Sequence, residues 1–453
     1  MFVALALTGL LVVSNGAPRL PAETPIPSLQ GKKELRRQLA ARVAGIDPKD
    51  GDALYAAALW AKRKGLDLDF KRILHKVLKA DPDHEEARKA LGYVKWKDKW
   101  FKKERFEAEK KKAEEAEYRR KGYVKHDGVW VKKEDLEFLK MGLLRYEGKW
   151  VRRPDYLKYK EGLVPHPDTG VWIKKEDLER AESGKFPVQG SWVTKEEANK
   201  AHSTWERPWV VQTENIRIVT TAPLDKAKEW ANDGETQITI IKNLLYPPGL
   251  PLPRRVTIFG FLDQAAYQDF GAQYDDTGFS AYGAFRAAGQ DGAPIAAYLG
   301  EKNWGPYYLK HAAGLGVAHM LLVDDKLSRT NWIYTAFGAY LERWSNRASA
   351  QHFGRQYLAK GGIRNLKSFF KNFAISPDQS SQETDWNIYQ AGIMLSYLQK
   401  EEDKKLRKAW EKVRTAVRKR KGIRKVLQGM EKVLVKREQE LRDHLGKLVR
   451  GGR

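Results

Sequence analysis

Two histidines eight residues apart, His311 and His319, lie on one apolar stretch that reads as a helix from about Tyr307 to Leu322. Imidazole is the commonest neutral metal ligand and a common general base near neutral pH. Two helical turns separate this pair by about 12 Å, too far for one ion to bridge. Tyr334 falls on a second apolar helix, Trp332 to Trp344, and Asp275, Asp276, Ser280 and Tyr282 lie upstream. None of these spacings makes a Ser-His-Asp set, a carboxylate pair or a phosphate loop. Tyr282 and Tyr334 are candidate cleft-lining residues and nothing more. The chain has no cysteine, which excludes thiolate zinc sites, iron–sulfur clusters, disulfide frameworks and cysteine nucleophiles.

The elements that must position these side chains are short strands followed by helices. Ile216–Val219, Arg255–Phe261, Phe279–Gly283 and Pro294–Leu299 read as strands, and Leu224–Leu245 and Asp263–Phe270 as helices between them. A small mixed sheet followed by a helical half is an α+β arrangement.

This succession is similar to secreted bacterial gluzincin-like metallopeptidase domains. It runs through Asn215-Ile216-Arg217-Ile218-Val219, Val256-Thr257-Ile258-Phe259, the helix ending Val317-Ala318-His319-Met320-Leu321-Leu322, and Trp332-Ile333-Tyr334-Thr335-Ala336-Phe337-Gly338-Ala339-Tyr340-Leu341. The resemblance covers residues 205–400. It implies a first helix carrying His-Glu-x-x-His and a second reading Trp-Leu-x-Glu-Gly-x-Ala-x-Tyr. Laid on this chain, the first zinc-ligand position is Leu315, the general base Gly316, the second ligand His319 and the third Thr335. Zinc needs three protein ligands and an open position, and glycine cannot take a proton. Only His319 keeps a competent side chain, so the expectation is a peptidase-like domain with a degenerate motif, no metal and no other cofactor.

The first half is repetitive. Ile46-Asp47-Pro48 recurs as Ala80-Asp81-Pro82, a 34-residue period that resembles a tetratricopeptide helical hairpin over 31–95. Ala53–Lys64 and Phe70–Ala80 read as its helices, and Pro82 is placed in the first turn of the helix carrying Ala87 and Leu91. A second unit then recurs over 92–200, with a charged helical insert at 105–120. Gly122 to Trp130, Gly142 to Trp150, Gly162 to Trp172 and Gly184 to Trp192 each pair a leading glycine with a Gly-x-Trp phrase, after a degenerate copy at Gly92 and Trp100. Each copy predicts a hairpin around a polar-Gly turn followed by a short helix. The tryptophans predict a packing layer; the sharper alternative is an outer face that stacks glycan or single-stranded nucleic acid.

The net charge of +25 is regional. Residues 31–200 hold 43 Lys+Arg against 31 Asp+Glu, residues 201–400 hold 20 against 18, and residues 401–453 hold 19 against 8. The last segment reads as an amphipathic pair of basic helices packing on the preceding domain. Arg414, Arg418, Lys419, Arg420, Lys421, Arg424 and Lys425 form a candidate anion-binding patch for a wall polymer, a lipid headgroup or a phosphate backbone. At the other end, the apolar run Phe2–Val13, with Ser14 and Gly16 before Ala17, reads as an export signal over 1–17 followed by a linker over 18–30. No later run is long enough to span a membrane.

The functional expectation is an exported, non-catalytic pseudopeptidase that binds or scaffolds at the cell envelope. Its partner would be a protein or peptide, an extended segment pairing with the strand at Pro294–Leu299 in the former substrate cleft. Two alternatives stand beside it. One is a hydrolase with a non-standard site; the other is binding of an anionic envelope polymer, or of nucleic acid in a chain that is not exported, through the basic ends. The sequence sets no oligomeric state.

Overall fold

The computed structural model describes residues 29–275, 278–290, 292–324, 327–328, 331–375, 380–399 and 403–450. The export-like segment 1–17, Asp276 and the linker 18–30 except its last two residues lie outside the described residues. Contacts divide the chain after Val124 into two compact units. Helices predominate and the sheets are small, in keeping with the α+β class.

The first unit contains α1 (Leu29–Ala44), α2 (Gly51–Arg63), α3 (Asp67–Ala80), α4 (Glu85–Ala90), β1 (Tyr93–Trp96), β2 (Lys99–Lys102) and α5 (Lys103–Arg120). Small residues on α2 let α3 pack closely, and Leu54, Ala58, Ala61, Phe70, Leu74 and Val77 fill the seam. Pro82 precedes α4 instead of sitting in its first turn. The Asp81 side chain accepts the Asp83 N–H at 2.9 Å, and His84 Nδ1 accepts the Ala87 N–H at 3.4 Å as the cap. That turn shortens α4 to six residues and leaves Leu91 beyond its end.

The second unit opens with the rest of the repeats. β3 (Tyr123–His126), which straddles the division, is followed by β4 (Val129–Lys132), α6 (Leu136–Lys140), β5 (Leu143–Tyr146), β6 (Lys149–Arg152) and α7 (Arg153–Lys160). Next come β7 (Leu163–Pro165), β8 (Trp172–Lys174), α8 (Leu178–Glu182), β9 (Phe186–Val188), β10 (Ser191–Val193) and α9 (Lys195–Ala201). The two glycines of a copy have different work. Gly142, with φ of 81°, ends α6 in the left-handed conformation, whereas Gly148 (79°) follows Glu147 (47°) to make a turn with two left-handed residues, the type I′ hairpin geometry. In the degenerate first copy Lys97 (48°) and Asp98 (61°) hold the same turn without glycine.

The repeat tryptophans are half-buried, and their partners lie within the array. Lys95 faces Trp100 across its hairpin and Arg145 faces Trp150, each cation lying over the indole at 5.8 and 5.1 Å. In the last two copies the facing residue is proline, Pro165 opposite Trp172 and Pro187 opposite Trp192. Phe138 packs on Trp150 and Tyr159 on Trp172, so these indoles are engaged in packing contacts.

The sheet comprises β11 (Trp209–Gln212), β12 (Ile216–Thr220), β13 (Val256–Phe261), β14 (Ala284–Arg286) and β15 (Ile295–Tyr298), with α10 (Leu224–Lys242) and α11 (Gln264–Tyr274) as crossovers. Its order is β11-β12-β13-β15-β14, parallel at the centre and antiparallel at both edges. Two expectations are corrected here. The strand expected at Phe279–Gly283 is a 3₁₀ turn, Phe279–Tyr282, because Gly278 and Gly283 bracket it at φ of 77° and 80° and reverse the chain. The strand at Pro294–Leu299 has no free edge, since β13 and β14 cover it on both sides.

α12 (Gly305–Leu321) packs on this sheet and α13 (Trp332–Ala339) packs on α12, leading into a single π-helical turn, Tyr340–Trp344. α14 (Arg347–Ala359), α15 (Leu366–Asn372), α16 (Ser381–Leu398), α17 (Lys404–Arg418), α18 (Arg424–Val435) and α19 (Glu438–Arg450) complete the unit. The basic tail is three helices instead of the expected pair, and Trp410, Val413, Leu427, Met430, Leu441 and Leu445 share one core with the sheet. Met141, Leu143 and Phe186 of the repeats enter the same core. Buried Asp155 joins these parts, accepting from Arg152 at 2.7 Å and from Arg255, at the foot of β13, at 2.9 Å.

Candidate functional site

α12 and α13 run in opposite directions and almost touch. A Cβ on Gly314 would lie 2.4 Å from the Phe337 carbonyl oxygen, and one on Gly338 would lie 2.9 Å from that of His311. The four motif positions fall along this seam and the adjoining sheet. Leu315 is buried in the core. Gly316 faces β13, where a Cβ would come within 2.3 Å of Val256 Cγ1. Thr335 is 1% exposed and its hydroxyl has no hydrogen-bond partner. His319 is half-buried, its ring stacked on Tyr334 at 4.2 Å. Tyr334 in turn donates its hydroxyl to the Leu322 carbonyl at 2.8 Å, and burial pushes its pKa up to about 12. Among the described residues no three His, Asp or Glu side chains converge as a metal would require.

The His319 end opens onto a cleft of about 320 Å³. Gly316, His319 and Tyr334 line it together with Arg254, Arg255 and Arg286. Tyr282 does not join Tyr334 there; it is half-buried at the opposite end of the helix pair, beside Thr384 and Asp385. Asp275 serves a turn, its carboxylate accepting the backbone N–H groups of Gly278 and Ser280 at 3.1 and 2.6 Å.

A buried ionic chain occupies that opposite end. His311 Nδ1 donates to Glu342 at 2.8 Å, Arg343 Nε donates to the other Glu342 oxygen at 3.0 Å, and Arg343 Nη1 reaches Asp385 at 2.9 Å. Lys360 also pairs with Asp385, and the Arg343 guanidinium lies 4.1 Å from the Tyr389 ring. Burial alone would raise the Glu342 pKa, but the Arg343 charge and the His311 hydrogen bond outweigh it and hold the carboxyl below its ordinary value. Burial likewise disfavours the Arg343 charge, and Glu342 and Asp385 more than restore it. The signal for this cluster was the pair Glu342-Arg343 inside an apolar helical run, where charges must find partners.

The basic patch divides into parts with different surroundings. Arg414 and Arg418 both pair with Glu411, at 3.0 and 3.5 Å. Lys419, Arg424 and Lys425 are exposed, and the Arg424 backbone N–H is capped by Asp324 at 2.7 Å. Arg420 and Lys421 line a second cavity of about 660 Å³ that shares Arg254, Met320, Val323 and Asp324 with the first.

No protein-family model, curated protein or solved structure matches this chain. No helix among the described residues is long and apolar enough to cross a membrane.

Proposed function

We propose that this chain is a non-catalytic binding protein whose residues 205–400 form a metallopeptidase-like domain without a zinc site, preceded by tetratricopeptide-like helices and Gly-x-Trp hairpins. Gly316 carries the reading. The position that would bear the general base faces β13, with no room for a side chain, and Leu315 at the first ligand position belongs to the core. Binding without bond cleavage needs only a cleft. One opens beside His319, where Arg254 and Arg286 face Asp324 while Arg255 is already paired with Asp155, a small positive surplus that favours an anionic ligand.

An extended peptide has less support, because β15 is interior and the edge strand β14 has three residues, of which Ala284 and Phe285 are fully buried. Export to the envelope belongs to the same proposal and rests on the apolar run Phe2–Val13. The test is metal analysis of the purified full chain after mild chelation and zinc return, with hydrolysis of an unfolded protein substrate. Substoichiometric zinc and no cleavage are expected; stoichiometric zinc with chelator-sensitive cleavage overturns the proposal.

A further inference from the structure

The larger cavity has a charged rim and an apolar floor. Arg153, Arg254, Arg420 and Lys421 are exposed and line it, brought together from the repeats, the α10–β13 connection and the α17–α18 turn. Among the described residues, Arg153, Arg254 and Lys421 make no ion pair. One carboxylate, Asp324, also lines the cavity, and it accepts the Arg424 backbone N–H. Among the described lining residues, four cations face one anion. The floor is different: Met141, Leu321 and Val417 are buried and face the same space.

One further observation points to a ligand. Tyr246 lines the cavity at 3% exposure, and its hydroxyl has no hydrogen-bond partner, an arrangement that is costly unless something fills it. Burial pushes that hydroxyl's pKa up to about 12, so it is a neutral donor at any physiological pH. Arg420 stands at φ of 50°, in the left-handed position after α17 where glycine is the unstrained choice. Its N–H bonds the Val417 carbonyl and the Lys421 N–H bonds that of Ala416, both at 2.9 Å, so the turn sets two cationic residues in succession at the rim.

The geometry points to a binding site for a phosphate-headed amphiphile, the head held among Arg254, Arg420, Lys421 and Arg153 and the apolar body lying on the floor. A doubly charged head suits this surplus better than a carboxylate, and guanidinium groups grip phosphate oxygens in pairs. Tyr246 donates to the oxygen that joins head to body. This deepens the reading of the unit as a binding protein for an anionic ligand and rests on it.

The experiment is calorimetric titration of the full chain with hexyl phosphate, inorganic phosphate and hexanol. Hexyl phosphate is expected to saturate a single site, and inorganic phosphate and hexanol to bind at least about tenfold more weakly, each lacking one half of the recognition. Arg254→Gln with Lys421→Gln should weaken hexyl phosphate at least about tenfold, and Tyr246→Phe by about fivefold. Lys110→Gln with Lys112→Gln, on α5, should change nothing.

No binding of hexyl phosphate overturns the site. So does equal loss in the α5 control, or inorganic phosphate or hexanol binding as tightly as hexyl phosphate. Flotation with vesicles containing phosphatidic acid then separates sources. Binding lost in the Arg254/Lys421 variant supports a bilayer headgroup, and no flotation despite hexyl phosphate binding supports a free phosphate ester. Zinc-dependent hydrolysis would overturn the non-catalytic reading and leave the titration standing, so the two failures are distinguishable.

Discussion

The imidazole of His311 on α12 and the carboxylate of Glu342, in the π-helical turn that follows α13, meet at 2.8 Å, both almost wholly buried. Glu342 must be ionised there, because Arg343 takes its second oxygen and burial would otherwise favour the neutral acid.

Replacing Glu342 by Gln removes the anion while leaving Arg343 buried, and is expected to cost about 3–5 kcal/mol in chemical denaturation. The pH dependence has a defined sign. A carboxyl whose folded pKa is depressed stabilises fully above its unfolded value, about 4.3, and loses that contribution as pH falls through the folded value. The wild-type chain should therefore lose stability steeply below that point, and the Gln variant less so. Parallel acid profiles of the two would disprove the coupling.

Gly316→Glu tests whether the motif can be rebuilt. The added side chain meets Val256 at once and would place a carboxylate against β13. A loss of about 3 kcal/mol or more is expected, with no gain in zinc content. A variant that folds with wild-type stability and binds zinc would show that the helix can move off the sheet.

Asp98→Gly should stabilise the first unit by about 1 kcal/mol, because it relieves a left-handed residue in a turn that already has type I′ geometry. Gly148→Ala should do the reverse in the second unit. Thermal melts of the two variants check both signs.

Arg420→Gly is expected to separate stability from binding. The left-handed residue after α17 becomes glycine, raising stability by about 1 kcal/mol, while hexyl phosphate binding weakens. Stability and affinity moving together would argue that Arg420 serves only the fold.

The hairpins were legible in the sequence because each device acts locally: glycine ends a helix, the indole packs against its neighbours, and a polar-Gly pair sets the turn in every full copy but the third, where residues 166–171 join the strands. The central parallel strands were legible as apolar runs. What could not be read was set by distant partners. His311 and Glu342 are 31 residues apart, and their meeting depends on Gly314 and Gly338 closing the helix seam. The tail's apolar spacing indicated burial without saying against what, and Trp410 and Leu445 find the sheet unit's core. Tyr246 sits beyond α10 in a proline-flanked turn, where nothing in the sequence distinguishes it from a solvent-facing ring. The motif positions Leu315, Gly316 and Thr335 could be located by resemblance, but that Gly316 faces β13 came only from the packing.

The hairpins of the repeat array remain separate two-stranded sheets. A two-stranded sheet has two edges, and exposed edges can recruit further strands into aggregates. Here every strand has three or four residues, and β1 to β6 and β8 each carry a lysine or arginine. Proline interrupts one strand in each of the last two copies, removing a donor that an incoming chain would need. Short strands, charges and prolines all work against edge-to-edge pairing of the array. Lengthening any one strand, or replacing Pro165 and Pro187 by valine, should be the shortest route to a chain that clumps.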